Sequence, residues 1–330
     1  MSSSKYAYAS AKIRALETKL LSEVDIERMV DAPDAQAAFK VLNDTDYADN
    51  LLEVEPKDYR QALHDDYHQL YLLLNSITPD NNLVALTFLD RDYLNLKLLF
   101  KSHYFGVPVD DLLNHTSIYP ASYTKAYIEE QKDLGLDTLF RKSMDEALQI
   151  LNENHKPYNI DTVVTRLYYA HSLELAERIK NPLIKKVIRT SIDNANILSW
   201  IRSKRLQQES INVRKKLIPG GNLDLNFLVN SFEQDPKTIR ALVFQHYDSD
   251  VVTAFDRYLE KNLLFDFEKA LDDYKTSLAG QAKFTAYGPE VIYSYYLAKQ
   301  NAVANIRIIM TGKLNNINAE EIKKTVRKVR

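Results

Sequence analysis

The 330 residues are 45% hydrophobic and 27% charged with a formal charge of −2, which excludes a disordered chain and makes any affinity for nucleic acid or lipid a local matter. The 7 glycines and 10 prolines are less than half of the roughly 12% that average usage gives, so long helices with few breaks are expected rather than sheets and tight turns. No cysteine is present, which rules out disulfides and thiolate metal sites and makes a reducing cytoplasm the expected compartment.

The opening MSSSKYAYASAK lacks the apolar core of a signal peptide. It leads into a helix on which Tyr6, Ala9, Ile13, Leu16 and Leu20 recur at helical spacing. Helical patterns follow over 34–42, 57–76, 80–104, 122–133, 136–153, 159–179 and 183–206, then over 223–232, 236–246, 250–275, 289–311 and 319–329. No segment alternates as a strand and none reaches the roughly 20 apolar residues of a membrane span. The expected fold class is all-α, without a transmembrane segment.

One helical unit occurs three times. Asp92-Tyr93-Leu94-Asn95-Leu96 returns as Asp193-Asn194-Ala195-Asn196-Ile197 and as Ala302-Val303-Ala304-Asn305-Ile306. Four residues after each Asn stand Leu99, Trp200 and Ile309, and seven after it Ser102, Ser203 and Gly312, all small. A proline precedes each Asn by about one helix length: Pro79, Pro182 and Pro289. The Asn spacings are 101 and 109 residues, lobes rather than short solenoid modules. Three lobes are expected, over 1–106, 107–218 and 219–330. Asp92 with Asn95 and Asp193 with Asn196 each share a helix face among apolar residues. Such groups must be hydrogen-bonded when buried; they either tie elements together within each lobe or line a shared cavity.

No chemistry-bearing motif is complete. His64 and His68 lie one turn apart as in H-E-x-x-H, but Asp65 stands where the base should be and no third ligand is apparent, so a solvated acidic face from Asp44 to Asp66 is the simpler reading. Thr311-Gly312-Lys313 lacks the earlier glycine and the following Ser or Thr of a phosphate-binding loop. A serine elbow is absent as well, so no catalytic residue, metal or cofactor is expected. Basic runs at 178–189 and 202–216, and in the C-terminal helix (Lys323, Lys324, Arg327, Lys328, Arg330), lack the interleaved aromatics of nucleic-acid surfaces. They suit solvated faces or an acidic protein partner. The 21 tyrosines suit interfaces or seams between packed helices. From residues alone, a helical scaffold for another protein or RNA, and a metallohydrolase using His64 and His68, are the alternatives.

Several motifs in order carry a family resemblance. They are Tyr6-Ala7-Tyr8-Ala9 with Ile13-Arg14-Ala15-Leu16-Glu17, Asp92-x-x-Asn95-Leu96-Lys97, and Asp193-x-x-Asn196-Ile197 with Trp200-Ile201-Arg202. Pro219-Gly220-Gly221, Phe255-Asp256-x-x-Leu259 and Asn305-Ile306-Arg307-x-Ile309 with Gly312-Lys313 complete the set. Together the chain resembles the C subunits of bacterial and archaeal V/A-type rotary ATPases, the counterparts of the d subunits of eukaryotic V-ATPases. One departure is Ala302, where the family pattern carries an acidic residue.

The resemblance implies a funnel of three helical lobes with approximate threefold symmetry and no active site. It implies one copy per complex, seated peripherally on the cytoplasmic face of the membrane. There it would receive the D and F subunits of the central stalk, and pass ATP-driven rotation to the proteolipid ring that moves H⁺ or Na⁺. Lys97, Arg202, Lys204, Arg205, Arg307 and Lys313, on or just after the repeated helices, are then candidates for the socket or its rim. The competing expectation is that several merely cap helix C-termini, where cations are favourable.

Overall fold

The computed structural model describes residues 3–48, 54–153 and 159–329. Every regular element among them is helical. In chain order the α-helices are α1 (Ala7–Glu17), α2 (Glu23–Asp31), α3 (Ala35–Val41), α4 (Tyr59–Ile77), α5 (Asn81–Phe105) and α6 (Ala121–Glu130). There follow α7 (Thr138–Glu153), α8 (Ile160–Ile179), α9 (Pro182–Arg205), α10 (Ser210–Lys216) and α11 (Leu225–Asn230). The last are α12 (Arg240–His246), α13 (Ser249–Lys261), α14 (Leu264–Ala279), α15 (Pro289–Leu314) and α16 (Ala319–Thr325).

Several elements differ from the periodicity. The segment 250–275 is two helices, because Asn262 takes the left-handed conformation (φ 56°) and its N–H closes on Tyr258. The C-terminal pattern stops at Thr325 and Val326 is extended (ψ 134°), so Arg327 and Lys328 are not helical and Arg330 lies outside the described residues. The periodicity predicts neither α10 nor α2; α2 is opened by a capping box in which Ser22 Oγ accepts from Asp25 N–H while Asp25 accepts from Ser22 N–H.

The helices form two compact units, Met1–Pro79 with Asp235–Arg330, and Asp80–Gln234. The repeated helices are α5 and α9 in the second unit and α15 in the first. Proline occupies the first position of α9 and α15, where its missing N–H costs nothing. Helix α5 instead opens at Asp80, whose carboxylate accepts from Asn82 N–H (3.0 Å), with Pro79 outside it. All three are apolar on several faces and sink into their units; α5 buries Leu83, Phe88, Leu89, Leu96 and Phe100, among others.

In the second unit α5 packs along α8, and α8 against α7 and α9. A closed hydrogen-bond chain crosses that core. His171 on α8 faces the Tyr93 hydroxyl at 3.1 Å, Tyr93 donates to Ser143 (2.7 Å), and Ser143 donates to the Leu139 carbonyl (3.1 Å). The tyrosine has spent its proton, so Nδ1–H of a neutral imidazole fills the remaining place. Burial holds His171 down at about 4. The unfolded chain, titrating near 6.5, binds the proton first. The second unit is therefore expected to lose about 3 kcal/mol as pH falls from about 6.5 to 4, with little further loss from this group below that. Urea unfolding of wild type and His171→Gln across that range checks it, the variant showing the flatter profile.

In the first unit α15 is the spine. Helix α4 runs antiparallel along it: Tyr59 meets Thr311 (3.0 Å), Tyr67 meets the Tyr296 hydroxyl (2.8 Å), and Asp66 takes a bond from Lys299 (2.8 Å). Helices α2 and α3 add Ile26, Met29, Val30 and Phe39 to a core shared with Ile306, Ile309 and Met310. Lys299 is 2% exposed and also bonds Asp46 (2.9 Å), with its ammonium 4.1 Å above the Tyr47 ring. Burial raises the Asp66 carboxyl more than Lys299 lowers it. Asp66 therefore does not belong to the solvated acidic face that the sequence suggested.

A candidate interaction site on the repeated helices

Each repeated Asn makes the same contact. Asn95 accepts from Asn114 N–H (2.7 Å) and donates to Asn114 C=O (2.9 Å). Asn196 does so with Ile218 (2.7 and 2.8 Å), and Asn305 with Arg327 (2.9 and 3.0 Å). One side-chain amide thus pairs with both main-chain groups of a single residue, 19, 22 and 22 positions downstream. Because Asn carries both an acceptor and a donor, it closes this ring where Asp or Leu could not. Each clamp pins the segment that leaves its own helix. In the third copy this draws Arg327 out of helical conformation, reinforced by an Arg327–Asp272 ion pair (2.9 Å) and a Lys328 N–H bond to Asp273 (2.7 Å).

The aspartates hold the same segments a few residues further on. Asp193 accepts from Asn222 N–H (2.8 Å), Leu223 N–H (3.1 Å) and the Asn222 amide (2.8 Å). That grip accounts for Pro219-Gly220-Gly221: a Cβ on Gly221 would lie 2.1 Å from Asp193 Oδ1. Gly220, at φ +97°, would press a Cβ to 2.4 Å from Leu173. Asp92 accepts from Tyr119 N–H (2.9 Å), while its other oxygen is buried without a partner. Burial lifts its carboxyl well above the usual range against the pull of that bond. In the third copy Ala302 is buried at 1% exposure, and the neighbouring Asn301 donates to Lys328 C=O. Gly312 is small for a similar reason, since a Cβ there would meet Ile322 at 2.7 Å.

The candidate cations separate into two groups. Lys204 donates to the Phe232 carbonyl beyond α11 and lies 5.2 Å from the Phe232 ring, beside Trp200, whose indole N–H bonds Leu228 C=O (2.7 Å). Lys313 donates to Ala32 C=O, the C-cap of α2. Lys97 pairs with Asp161 on α8 (3.2 Å). These three hold neighbouring backbone or a neighbouring helix. Arg202, Arg205 and Arg307 are exposed, the first two in the last turn of α9 beside the exposed Leu206.

His64 and His68 are both exposed on α4, and the described residues bring no three His, Asp or Glu together around a metal position. No helix among them is long and apolar enough to cross a membrane. The cluster of buried Lys299 and Asp66 with half-buried Asp46 had no sequence signal, since Lys299 is far along the chain from both acids and each of the three resembles an ordinary surface charge.

Fold and clamps define a class: an all-helical protein whose long buried helices each fasten the chain that follows them. The family model described as "ATP synthase (C/AC39) subunit" matches residues 9–325, and the chain belongs to that family. It is 23% identical over 326 residues to the C subunit of the V-type sodium ATPase of Enterococcus hirae, covering 98% of this chain and 99% of that protein. It is 24% identical over 343 residues to the C subunit of the A-type ATP synthase of Methanocaldococcus jannaschii, covering 96% and 85%. To that of Thermococcus onnurineus it is 25% identical over 347 residues, covering 97% and 90%.

Proposed function

We infer that the chain is a non-catalytic rotor component of a V/A-type rotary ATPase, one copy per complex. It sits peripherally on the cytoplasmic face of the membrane, joining the D and F subunits of the central stalk to the proteolipid ring. ATP-driven rotation of the stalk then reaches the ring and moves H⁺ or Na⁺. The observation that carries this reading is the family match over residues 9–325. Three copies of one clamped helix support it, because a part that transmits torque must hold its surface segments fixed to a stiff frame. Three lobes over 1–106, 107–218 and 219–330, arranged as a funnel, would grip a shaft from several sides.

Within this reading the socket candidates are Lys97, Arg202, Lys204, Arg205, Arg307 and Lys313. Lys204 and Lys313 donate to backbone carbonyls, and Arg202 and Arg205 are exposed in the last turn of α9. Arg202→Glu with Arg205→Glu is expected to weaken capture of the purified D–F stalk by about tenfold at low salt, the effect shrinking as salt rises. Undiminished capture sinks the assignment of these residues. Failure of the wild-type protein to capture the stalk sinks the coupling role.

A further inference from the structure

A cleft of about 460 Å³ in the first unit reaches the charged cluster at Lys299. Asp46, Asp66, Tyr295 and Lys299 supply one part of its lining, and Leu16, Leu70 and Leu73 another, with the exposed Gln69 beside them. The charges do not balance. Lys299 bonds Asp66 Oδ1 (2.8 Å) and Asp46 Oδ2 (2.9 Å), and Tyr295 adds only a long bond to the same Asp46 oxygen (3.4 Å). Asp66 Oδ2 is buried without a partner, and no bond among the described residues reaches Asp46 Oδ1. Burial, with Asp46 nearby, pushes the Tyr295 hydroxyl well up, so it stays protonated and adds no charge. Among the lining residues two carboxylates therefore face one ammonium, and one negative charge is left over where Asp66 is 5% exposed.

An uncompensated charge at the edge of a protein interior attracts a cation. Coulomb attraction through that interior is several-fold stronger than through water, so a cation seated on half-buried Asp46 feels Asp66 without touching it. A bare metal ion matches poorly. Among the described residues no three carboxylate or imidazole groups converge, hard cations take six or more oxygens, and three leucines add nothing for such an ion. A primary alkylammonium uses every part of the lining: its N–H groups donate to Asp46 and the Gln69 amide oxygen, and its chain packs on Leu16, Leu70 and Leu73. The volume falls in the range of small-molecule clefts, which favours a free amine over the tip of a partner's lysine. We propose that this cleft binds a small aliphatic amine in its ammonium form. It shares no residue with the socket candidates and does not depend on the coupling role.

The test is calorimetric titration of the full chain with n-butylammonium. The comparisons are n-butanol, which has the chain without the charge, and potassium, which has the charge without the chain. Only butylammonium is expected to bind below about 10 mM. Asp46→Asn, which removes the surplus charge and leaves Lys299 paired with Asp66, should weaken binding about tenfold. Gln69→Ala should weaken it about threefold, and repeats the test at an exposed position outside the buried cluster. Lys299→Met gives a second readout. That variant lacks the ammonium between the two carboxylates, so butylammonium should raise its midpoint of thermal unfolding by more than that of wild type, and butanol should not. No binding by about 10 mM, equal binding of butanol or potassium, unaffected variants, or a Lys299→Met protein indifferent to the amine would each overturn the proposal. So would displacement of a captured stalk by butylammonium, which would mark the cleft as the seat of a partner's lysine.

Discussion

Lys299→Met is expected to destabilise the first unit by about 3–5 kcal/mol at neutral pH. Methionine approximates the lysine stem in volume, so the loss is electrostatic rather than a cavity. Two carboxylates, Asp46 and Asp66, lose the ammonium that bridges them at 2.9 and 2.8 Å. Asp66 is 5% exposed, and water cannot replace that partner. Burial already raises its carboxyl against the pull of Lys299; without the lysine it rises further. A carboxyl raised in the folded state contributes stability below its unfolded value and loses it as pH climbs through the folded value. The deficit of the variant should therefore shrink as pH falls towards 4 and be largest at neutral pH and above. Adding Asp66→Leu should restore much of the loss, because an apolar pair in place of a buried ion pair is often neutral or better. Urea unfolding of the single and double variants at two pH values measures all of this. A single variant as stable as wild type at neutral pH would refute it.

Asn196→Ala is expected to cost about 2–5 kcal/mol. It leaves Ile218 with both an N–H and a C=O unpaired, at about 1–3 kcal/mol for each buried group. Asn196 is fully buried and Ile218 is 5% exposed. The same change at Asn95 or Asn305 should cost less, since Asn114 and Arg327 are only half-buried and water can reach their main-chain groups. Amide exchange adds a separate readout: the Ile218 N–H should lose protection in Asn196→Ala while the α9 interior keeps its own. Equal losses at all three sites would contradict the graded burial on which the ordering rests.

Periodicity located the long helices because a buried helix must repeat its apolar residues every turn. It failed where the local chain decides. Asn262 breaks an apolar pattern that runs on through Leu263 and Leu264, and nothing in that pattern announces a left-handed residue. The short α2 is set by its Ser22 capping box and by the core contacts of Ile26, Met29 and Val30, which nine residues are too few to announce as a pattern. The repeat marked Asn95, Asn196 and Asn305 as special without revealing what they hold, since their partners are main-chain groups and any residue can supply those. Pro219-Gly220-Gly221 was legible as a motif, but its reason, the Asp193 carboxylate pressed against it, is a contact across 28 residues. Lys299 was silent for the opposite cause: nothing local distinguishes a lysine that is paired inside from one that is solvated. Of the six cations chosen from sequence, Lys204 and Lys313 proved to hold backbone carbonyls and Lys97 a neighbouring helix, uses that depend on distant chain segments.

The clamp has an evolutionary corollary. It reads peptide groups, so it tolerates asparagine, isoleucine or arginine as the residue held, and connecting stretches of 19 or 22 residues alike. Substitutions and short length changes between helix and clamped residue can accumulate without loosening the attachment, provided the one amide is kept. A chain built on such fasteners can change much of its sequence and still fold each strap back onto its own helix.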